Sequence, residues 1–331
     1  MTGKRYLKIS IQWGLALCLV FLLFYLGGVS ELTHLPEIHW GYVFLLFVCT
    51  AAFTLAHNFR WKEIVESLSE KKGKDFFTLY QYLVDSYVVG KFIPMDVSLL
   101  GLRSYLLTRY QDLSISLAAF SVLLDRFLDL VLFLFMALPS FLLITGATSR
   151  GQTLLVLLLL LIVQGWIIHW KKGDTFHFLL VIYRAFLARW LSKVPLLKDR
   201  LKGRMEGPEE AYPFSQTFVI HVTGWNYIKY IFLSLRFYFT GMALGIPLPW
   251  VESFFFLPFV QLSGLVNVTP AGLGVVEMTT YGALYLMGIS KPQILLFVVG
   301  QRILLFATFL GLFAMSHLFS LIRRRVTSEQ V

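Results

Sequence analysis

Long apolar runs separated by short basic segments constrain this chain more than any other feature. Residues 113–144 exceed the roughly 20 residues that an α-helix needs to cross a bilayer, and residues 154–170 are almost purely aliphatic. Hydrophobic residues make up 57% of the chain and charged residues 15%, well away from the composition of soluble domains. We therefore predict an all-α polytopic integral membrane protein.

The distribution of Lys and Arg predicts the orientation of the chain. The first two helices are expected at residues 9–26 and 40–56, and residues 27–39 between them contain no Lys or Arg. Basic residues follow at 57–75 and again at 323–325. Because cytoplasmic loops are enriched in Lys and Arg, both termini are expected in the cytoplasm, in a multi-pass protein of the inner or plasma membrane. The net charge of +10 then reports orientation, and we expect no nucleic-acid partner.

The largest polar segment, residues 171–213, contains apolar side chains at helical spacing. This pattern predicts a basic amphipathic helix that lies in the cytoplasmic headgroup plane or packs on the protein's own cytoplasmic face. A long helix is predicted next, at about residues 217–244, with Lys229 and Arg236 on one face. These two cations either line one cavity or extend to opposite membrane interfaces.

A first Pro/Gly-containing break lies within residues 76–110. Pro94 interrupts an apolar stretch there, and both flanks have the charge of cytoplasmic segments. We therefore favour two short helices that enter the membrane and return over one complete span.

A second break occupies residues 267–277, with apolar sequence on both sides. Pro270, Gly272 and Gly274 should disrupt regular structure, which persists at membrane depth only where protein covers it or water reaches it. Glu277 follows at once, and a carboxylate in this apolar context should face an interior site. With this hairpin, the chain is expected to contain about six to eight membrane segments.

The two breaks belong to similar units, in which a broken hairpin with one charge precedes a long helix with another. The first unit contains Arg103 and then Asp125 with Arg126, and the second contains Glu277 and then Arg302. Paired broken segments of opposite orientation indicate a binding site near the membrane midplane. The pattern is compatible with an inverted repeat.

These charges form the predicted substrate site. The predicted substrate-binding residues are Arg103, Arg126, Glu277, Arg302, Asp125 and Lys229, and the predicted hinges are Pro94, Pro270, Gly272 and Gly274. Arginine suits phosphate because its guanidinium offers a planar, two-pronged set of donors. A purely structural role is the alternative: Glu277 would pair with an arginine such as Arg302. Likewise, Asp125, Arg126 and Asp129 would neutralise one another within one helical turn.

Signals for catalysis are weak. The histidines are scattered, and only His34 and His39 in the predicted outer loop hint at a metal spacing. The sequence shows no nucleophile elbow, phosphate-binding glycine loop or dinucleotide fingerprint in the required context. We expect no catalytic residues, no metal and no cofactor.

Residues 270–277, Pro-Ala-Gly-Leu-Gly-Val-Val-Glu, resemble the Pro/Gly-rich signature of the lysylphosphatidylglycerol synthase transmembrane-region family, also called the flippase-like domain family. Arg302 is similar to that family's arginine in the following long helix. Pro94 with Arg103, and residues 124–129 (Leu-Asp-Arg-Phe-Leu-Asp), are similar to its two first-half motifs.

The resemblance covers roughly residues 9–322 and implies one flippase-like transmembrane domain, residues 1–331, that handles membrane lipids. Two departures are Ala271, where members often have glycine, and the missing acidic residue that often shortly precedes Arg103. Some members move a charged lipid between leaflets, and full-length synthases add a soluble aminoacyl-transfer domain. Because the chain ends soon after Arg324, we expect it not to make lysyl-lipid by itself.

The leading hypothesis is a flippase for a phospholipid or polyprenyl-phosphate-type lipid. Arg103, Arg302 and Arg126 would contact the phosphate, and Glu277 would select cationic headgroups or pair with an arginine. One alternative is a membrane subunit of a lipid-modifying or lipid-glycosylating enzyme, with a separate transferase as partner. A second alternative is a secondary transporter of a small solute. An oligomer is compatible with all three.

Overall fold

All regular structure in the described residues is helical, which confirms the all-α class. The computed structural model describes residues 18, 21–22, 25, 37–69, 75–92, 97–111, 113–171, 214–265 and 273–328. The α-helices, in chain order, are α1 (Trp40–Leu68), α2 (Phe76–Val89), α3 (Arg103–Tyr110), α4 (Ile115–Ile144), α5 (Arg150–Lys171), α6 (Gln216–Ala243), α7 (Trp250–Leu265), α8 (Val275–Leu286) and α9 (Lys291–Ser328). A π-helical turn, Val97–Leu102, leads directly into α3.

Some sequence-based predictions fall on residues outside the described ranges. Of the first predicted helix, residues 9–26, only Cys18, Phe21, Leu22 and Tyr25 are described, and these four are helical. The amphipathic helix predicted within residues 171–213 lies outside the described residues, except that Lys171 ends α5.

Four described helices are long and apolar enough to cross a membrane: α1, α4, α5 and α9. The apolar window of α5 is only 6% buried, whereas the windows of the other three are 39–44% buried. Among the described spans, the aliphatic run at residues 154–170 is therefore the one most exposed on the protein surface. The remaining helices pack around the other three spans, and α1 and α6 lie against each other along much of their length.

Helices α2 and α3, and helices α7 and α8, form two hairpins of short helices. With 14, 16 and 12 residues, α2, α7 and α8 are about 21, 24 and 18 Å long, less than the roughly 30 Å of a hydrocarbon core. The hydroxyl of Ser98 donates to the Ser86 carbonyl at 2.6 Å and fixes the return segment on α2. The structure therefore has short helices on both sides of the two predicted breaks.

Of the predicted hinge residues, only Gly274 lies within the described residues; Pro94, Pro270 and Gly272 lie outside them. Gly274 precedes α8 with φ of 84°, a left-handed conformation that strains residues with a Cβ atom. Its backbone N–H donates to the Glu277 carboxylate at 2.7 Å. The glycine thus allows the chain to turn sharply into α8, and the Glu277 side chain in the first turn of the helix closes the cap.

Helix α1 continues to Leu68, so the prediction that this helix ends at residue 56 is wrong. The buried face of α1 runs on through Trp61 and Ile64, both without exposed surface. Because apolar residues at helical spacing carry the packing forward, the helix does not end at its first polar residues. Arg60, counted from sequence among the cytoplasmic charges, is consequently fully buried.

Candidate functional site

Asp125 of α4 is the centre of a buried group of charges contributed by α1, α3 and α4. Its Oδ1 accepts hydrogen bonds from Arg60 Nε at 2.9 Å and Nη2 at 2.6 Å. Its Oδ2 accepts from His57 Nε2 at 2.7 Å and from Arg103 Nη1 at 3.0 Å. None of these residues is more than 1% exposed, so all of the charges are removed from water.

Asp129 lies one helical turn further along α4 and extends the group to α6. Its carboxylate accepts from Arg60 Nη1 at 2.7 Å and pairs with Lys229. Asn226 accepts a hydrogen bond from Arg60 and donates to the Leu128 carbonyl at 2.7 Å. We refer to the set that Asp125 and Asp129 hold together as the buried ionic network; its other members are His57, Arg60, Arg103, Asn226 and Lys229.

The network excludes one alternative from the sequence. In that structural alternative, Asp125 and Asp129 neutralise Arg126 within one turn of the same helix, but their partners are Arg60, Arg103 and Lys229. The physical reason is the length of α1, which places the Arg60 guanidinium between the two carboxylates. Arg126 is left without either of them.

A tyrosine connects the network to α2. The hydroxyl of Tyr87 lies 2.7 Å from His57 Nδ1. A neutral imidazole that donates from Nε2 to Asp125 can only accept at Nδ1, so Tyr87 is the donor in this contact. The tyrosine ring in turn stacks on Phe309 of α9, with ring centroids 4.9 Å apart.

The second hairpin contains its own ion pair. Glu277 pairs with Arg302 through Oε1, as the sequence predicts, while Oε2 accepts the Gly274 N–H. Both carboxylate oxygens are therefore engaged, and the contact fixes α8 to α9. Direct contact of Glu277 with a headgroup stays a prediction.

The two hairpins are attached in the same way with opposite polarity. In each, the second short helix is joined to the following long helix by one ion pair. Arg103 of α3 pairs with Asp125 of α4, and Glu277 of α8 pairs with Arg302 of α9. An inverted repeat would produce this correspondence, but the repeat itself stays a prediction.

Several guanidinium nitrogens are buried and have no hydrogen-bond partner among the described residues. They are Nε and Nη2 of Arg103, Nε and Nη2 of Arg126, and Nε of Arg236. The Arg103 guanidinium carbon lies 3.8 Å from the centre of the Trp61 ring. The Arg236 guanidinium carbon lies 4.5 Å from the ring of Phe53 and 5.4 Å from that of Phe309. Aromatic faces attract these cations but leave their N–H donors available.

Lys229 and Arg236 both lie on the buried face of α6, with 3% and 8% of their surface exposed. The alternative that they extend to opposite membrane interfaces is therefore wrong. The predicted site residues thus fall into two neighbouring groups. Arg103, Asp125 and Lys229 belong to the buried ionic network with Arg126 beside it, and Glu277 pairs with Arg302.

Sequence reasoning missed His57, Arg60, Tyr87 and Lys91 as members of this interior. The amine of Lys91 lies 5.4 Å from the Phe309 ring centre and interacts electrostatically with Arg236 and Arg302. A usable signal existed for the α1 residues, because His57 and Arg60 lie at helical spacing on a face that continues as apolar residues beyond them. No local signal marks Lys91.

A separate cavity of about 310 Å³ opens between α1, α2 and α9. Its walls are largely apolar and include Phe47, Leu312 and Met315, while the ion pair of Asp75 with Arg323, at 2.9 Å, lies at its edge. None of the predicted site residues lines it. Among the residues the structure describes, no three His, Cys, Asp or Glu side chains are grouped as metal ligands would be.

Comparisons with known proteins agree with this architecture. The family model described as the lysylphosphatidylglycerol synthase TM region matches residues 9–312. The chain is also similar to a UPF0104 membrane protein of Methanocaldococcus jannaschii, with 24% identity over 290 residues, 82% of this chain and 84% of the relative. No solved structure gives a significant match. The matched range contains both hairpins and every predicted site residue, and the chain is thus a multi-pass membrane protein that belongs to the lysylphosphatidylglycerol synthase transmembrane-region family.

Proposed function

We propose that this protein is a flippase that moves a lipid with a phosphate-containing headgroup between the leaflets of the cell membrane. The headgroup enters the polar interior between the two hairpins, while the acyl or prenyl chains remain in the hydrocarbon region. Both termini lie in the cytoplasm in this arrangement, as the distribution of basic residues predicts.

One observation carries the proposal: the buried guanidinium nitrogens of Arg103, Arg126 and Arg236 have no acceptor among the described residues. A buried charged donor without an acceptor is costly, so a chain keeps such groups where a ligand satisfies them. Phosphate oxygens are the acceptors that a guanidinium binds best, because two parallel N–H groups meet two oxygens. These three arginines therefore form the centre of the proposed headgroup site.

The surroundings of the site favour a lipid as the source of the phosphate. Two hairpins of short helices flank the polar interior, an arrangement that allows a substrate to be reached from either side of a membrane. The apolar cavity between α1, α2 and α9 offers a separate surface suited to a hydrocarbon chain. An anion together with an apolar chain is the chemistry of a membrane lipid.

The proposal is tested with purified full-length protein in liposomes that contain a trace of acyl-labelled fluorescent phosphatidic acid. A membrane-impermeant reductant bleaches the outer leaflet, and we expect protein-containing vesicles to lose inner-leaflet fluorescence that protein-free vesicles retain. The variants Arg126→Gln and Arg236→Gln should slow this loss. Glu277→Gln, at retained expression, should abolish it by releasing Arg302.

Arg109→Gln is the matched control, because Arg109 is an exposed arginine on α3, the helix that carries Arg103. It should translocate lipid like the unmodified protein. Equal fluorescence loss with and without protein would refute the proposed flippase function. The same interior could present the lipid to a separate transferase, in which case the lipid binds but remains on its own leaflet.

A further inference from the structure

The carboxylates in the interior of the protein each form an ion pair with a basic side chain. Asp125 pairs with Arg60, Asp129 with Lys229, and Glu277 with Arg302. Two further carboxylates lie on the hairpin helices: Asp85 contacts His317 at 3.0 Å, and Glu252 pairs with Arg150. Each acidic group between the described helices therefore has a basic partner of its own.

Four basic side chains remain after this matching: Arg103, Arg126, Arg236 and Lys91. Arg103 shares Asp125 with Arg60 through a single nitrogen, and the described residues provide no carboxylate for the other three. All four are at least half-buried or fully buried between helices. Among the described residues, the interior thus holds a surplus of positive charge larger than one ligand charge would balance.

The four surplus cations converge on one place. Arg103, Arg126 and Arg236 each interact electrostatically with Tyr87, and Arg103 and Arg126 also act on one another. Lys91 and Arg236 each lie 5.4 Å from the centre of the Phe309 ring, which stacks on Tyr87. Cations from α3, α4, α6 and the turn after α2 thus lie around a single pair of aromatic rings.

Like charges gathered in a medium of low dielectric repel strongly, so their ligand should carry enough negative charge to offset them. A phosphodiester headgroup carries one negative charge on two free oxygens. A phosphomonoester carries close to two charges and three strong acceptor oxygens, and a diphosphate carries more of both. Five buried nitrogens without acceptors match the larger set of oxygens better.

We propose that the substrate headgroup is a terminal phosphomonoester or diphosphate, as in a phosphatidic acid or a polyprenyl phosphate, and that phosphodiester lipids are poor ligands. This inference rests on the proposed lipid-translocating function. It narrows the lipid class by charge and oxygen count, and it assigns Lys91 and Arg236 to headgroup binding together with Arg103 and Arg126.

The decisive measurement compares two lipids that differ only in the headgroup. Full-length protein in nanodiscs of phosphatidylcholine is titrated with phosphatidic acid or with phosphatidylglycerol of the same acyl chains, and bound lipid is counted by native mass spectrometry. We expect phosphatidic acid to bind about tenfold more tightly or better, the effect of one additional charge-assisted contact. Inorganic phosphate and diphosphate are added as competitors to separate a lipid site from a site for free anions.

The variants Arg126→Gln and Arg236→Gln should lower the preference for phosphatidic acid, whereas Arg109→Gln should keep it. Neither buried arginine has a described carboxylate partner, so these variants should unfold at the same temperature as the unmodified protein or above it, which separates loss of binding from loss of fold. Equal affinity for both lipids, or displacement of bound lipid by millimolar inorganic phosphate alone, would overturn the proposal.

The outcomes for the headgroup and for translocation are distinguishable. If phosphatidic acid binds selectively and is not moved between leaflets, the headgroup class stands and the flippase function fails. If both lipids are moved at the same rate, the flippase function stands and the headgroup class is refuted.

Discussion

Replacing Asp125 with Asn is the perturbation that tests most directly what holds the interior of this protein together. The fully buried Asp125 carboxylate accepts hydrogen bonds from His57, Arg60 and Arg103. Asparagine preserves the shape of the side chain but removes its charge, so Arg60 and Arg103 lose a shared counter-ion. Removing one partner of a buried ion pair costs about 3–5 kcal/mol, because the other charge remains buried and uncompensated.

The assay is thermal unfolding of the detergent-solubilised protein, followed by intrinsic tryptophan fluorescence. At roughly 2–4 °C per kcal/mol, this loss should lower the midpoint by on the order of 10 °C. The matched control is Glu252→Gln, which breaks the ion pair with Arg150, a residue whose side chain is 66% exposed. An exposed pair contributes about 0–1 kcal/mol, so the control should change the midpoint little.

A double variant sharpens the result. Adding Arg103→Gln to Asp125→Asn removes one of the two cations that have lost their counter-ion. The double variant should therefore be less destabilised than the sum of the two single variants predicts. If Asp125→Asn unfolds at the same temperature as Glu252→Gln, the reasoning that buried pairing stabilises the contacts of α1 and α3 with α4 is refuted.

Two further predictions concern the hairpins and the packing of α9. Asp75 caps α2: burial raises its pKa, but hydrogen bonds led by those from Thr78 outweigh it and hold the pKa below 3.8. Asp75→Ala should therefore lower the free energy of unfolding by about 1 kcal/mol at neutral pH. In unfolding measured as a function of pH, the stability difference between variant and unmodified protein should shrink as the pH falls below 3.8. Protonation of Asp75 removes the same stabilisation from the unmodified protein. Gly300→Ala would place a Cβ atom 2.7 Å from a methyl group of buried Leu244 and should lower the free energy of unfolding by about 1–3 kcal/mol. Its control is Gly224→Ala, whose Cβ atom meets no atom within 4 Å. In the same unfolding assay the control should be neutral or stabilising by up to about 1 kcal/mol.

Much of the architecture could be predicted from local sequence. Proline and glycine act through their own backbone geometry, so Gly274 marks the start of α8 without reference to the rest of the molecule. Aliphatic sequence at residues 154–170 is equally local evidence for a lipid-exposed span. The pair of Glu277 with Arg302 could be predicted because two charges in apolar helices have few alternatives to each other.

The buried ionic network could not be predicted in the same way. Arg60 follows a polar stretch and precedes further lysines, so its local sequence is typical of a membrane-flanking charge. Whether it is solvated or buried depends on where α1 ends, and packing against α4 and α6 decides that. The misplaced end of α1 then led to the wrong partners for Asp125 and Asp129.

The sequence by itself determined that this protein is helical, that it spans a membrane, and that its two breaks produce hairpins of short helices. These properties depend on the need to hydrogen-bond every backbone N–H and C=O group within the hydrocarbon region, and on the backbone conformations that proline and glycine allow. Both effects act within a few residues. Only the tertiary structure decided which charges neutralise each other and which do not. Charge pairing depends on distances between helices far apart in the chain. Among the described residues, those distances leave Arg103, Arg126, Arg236 and Lys91 in surplus around Tyr87.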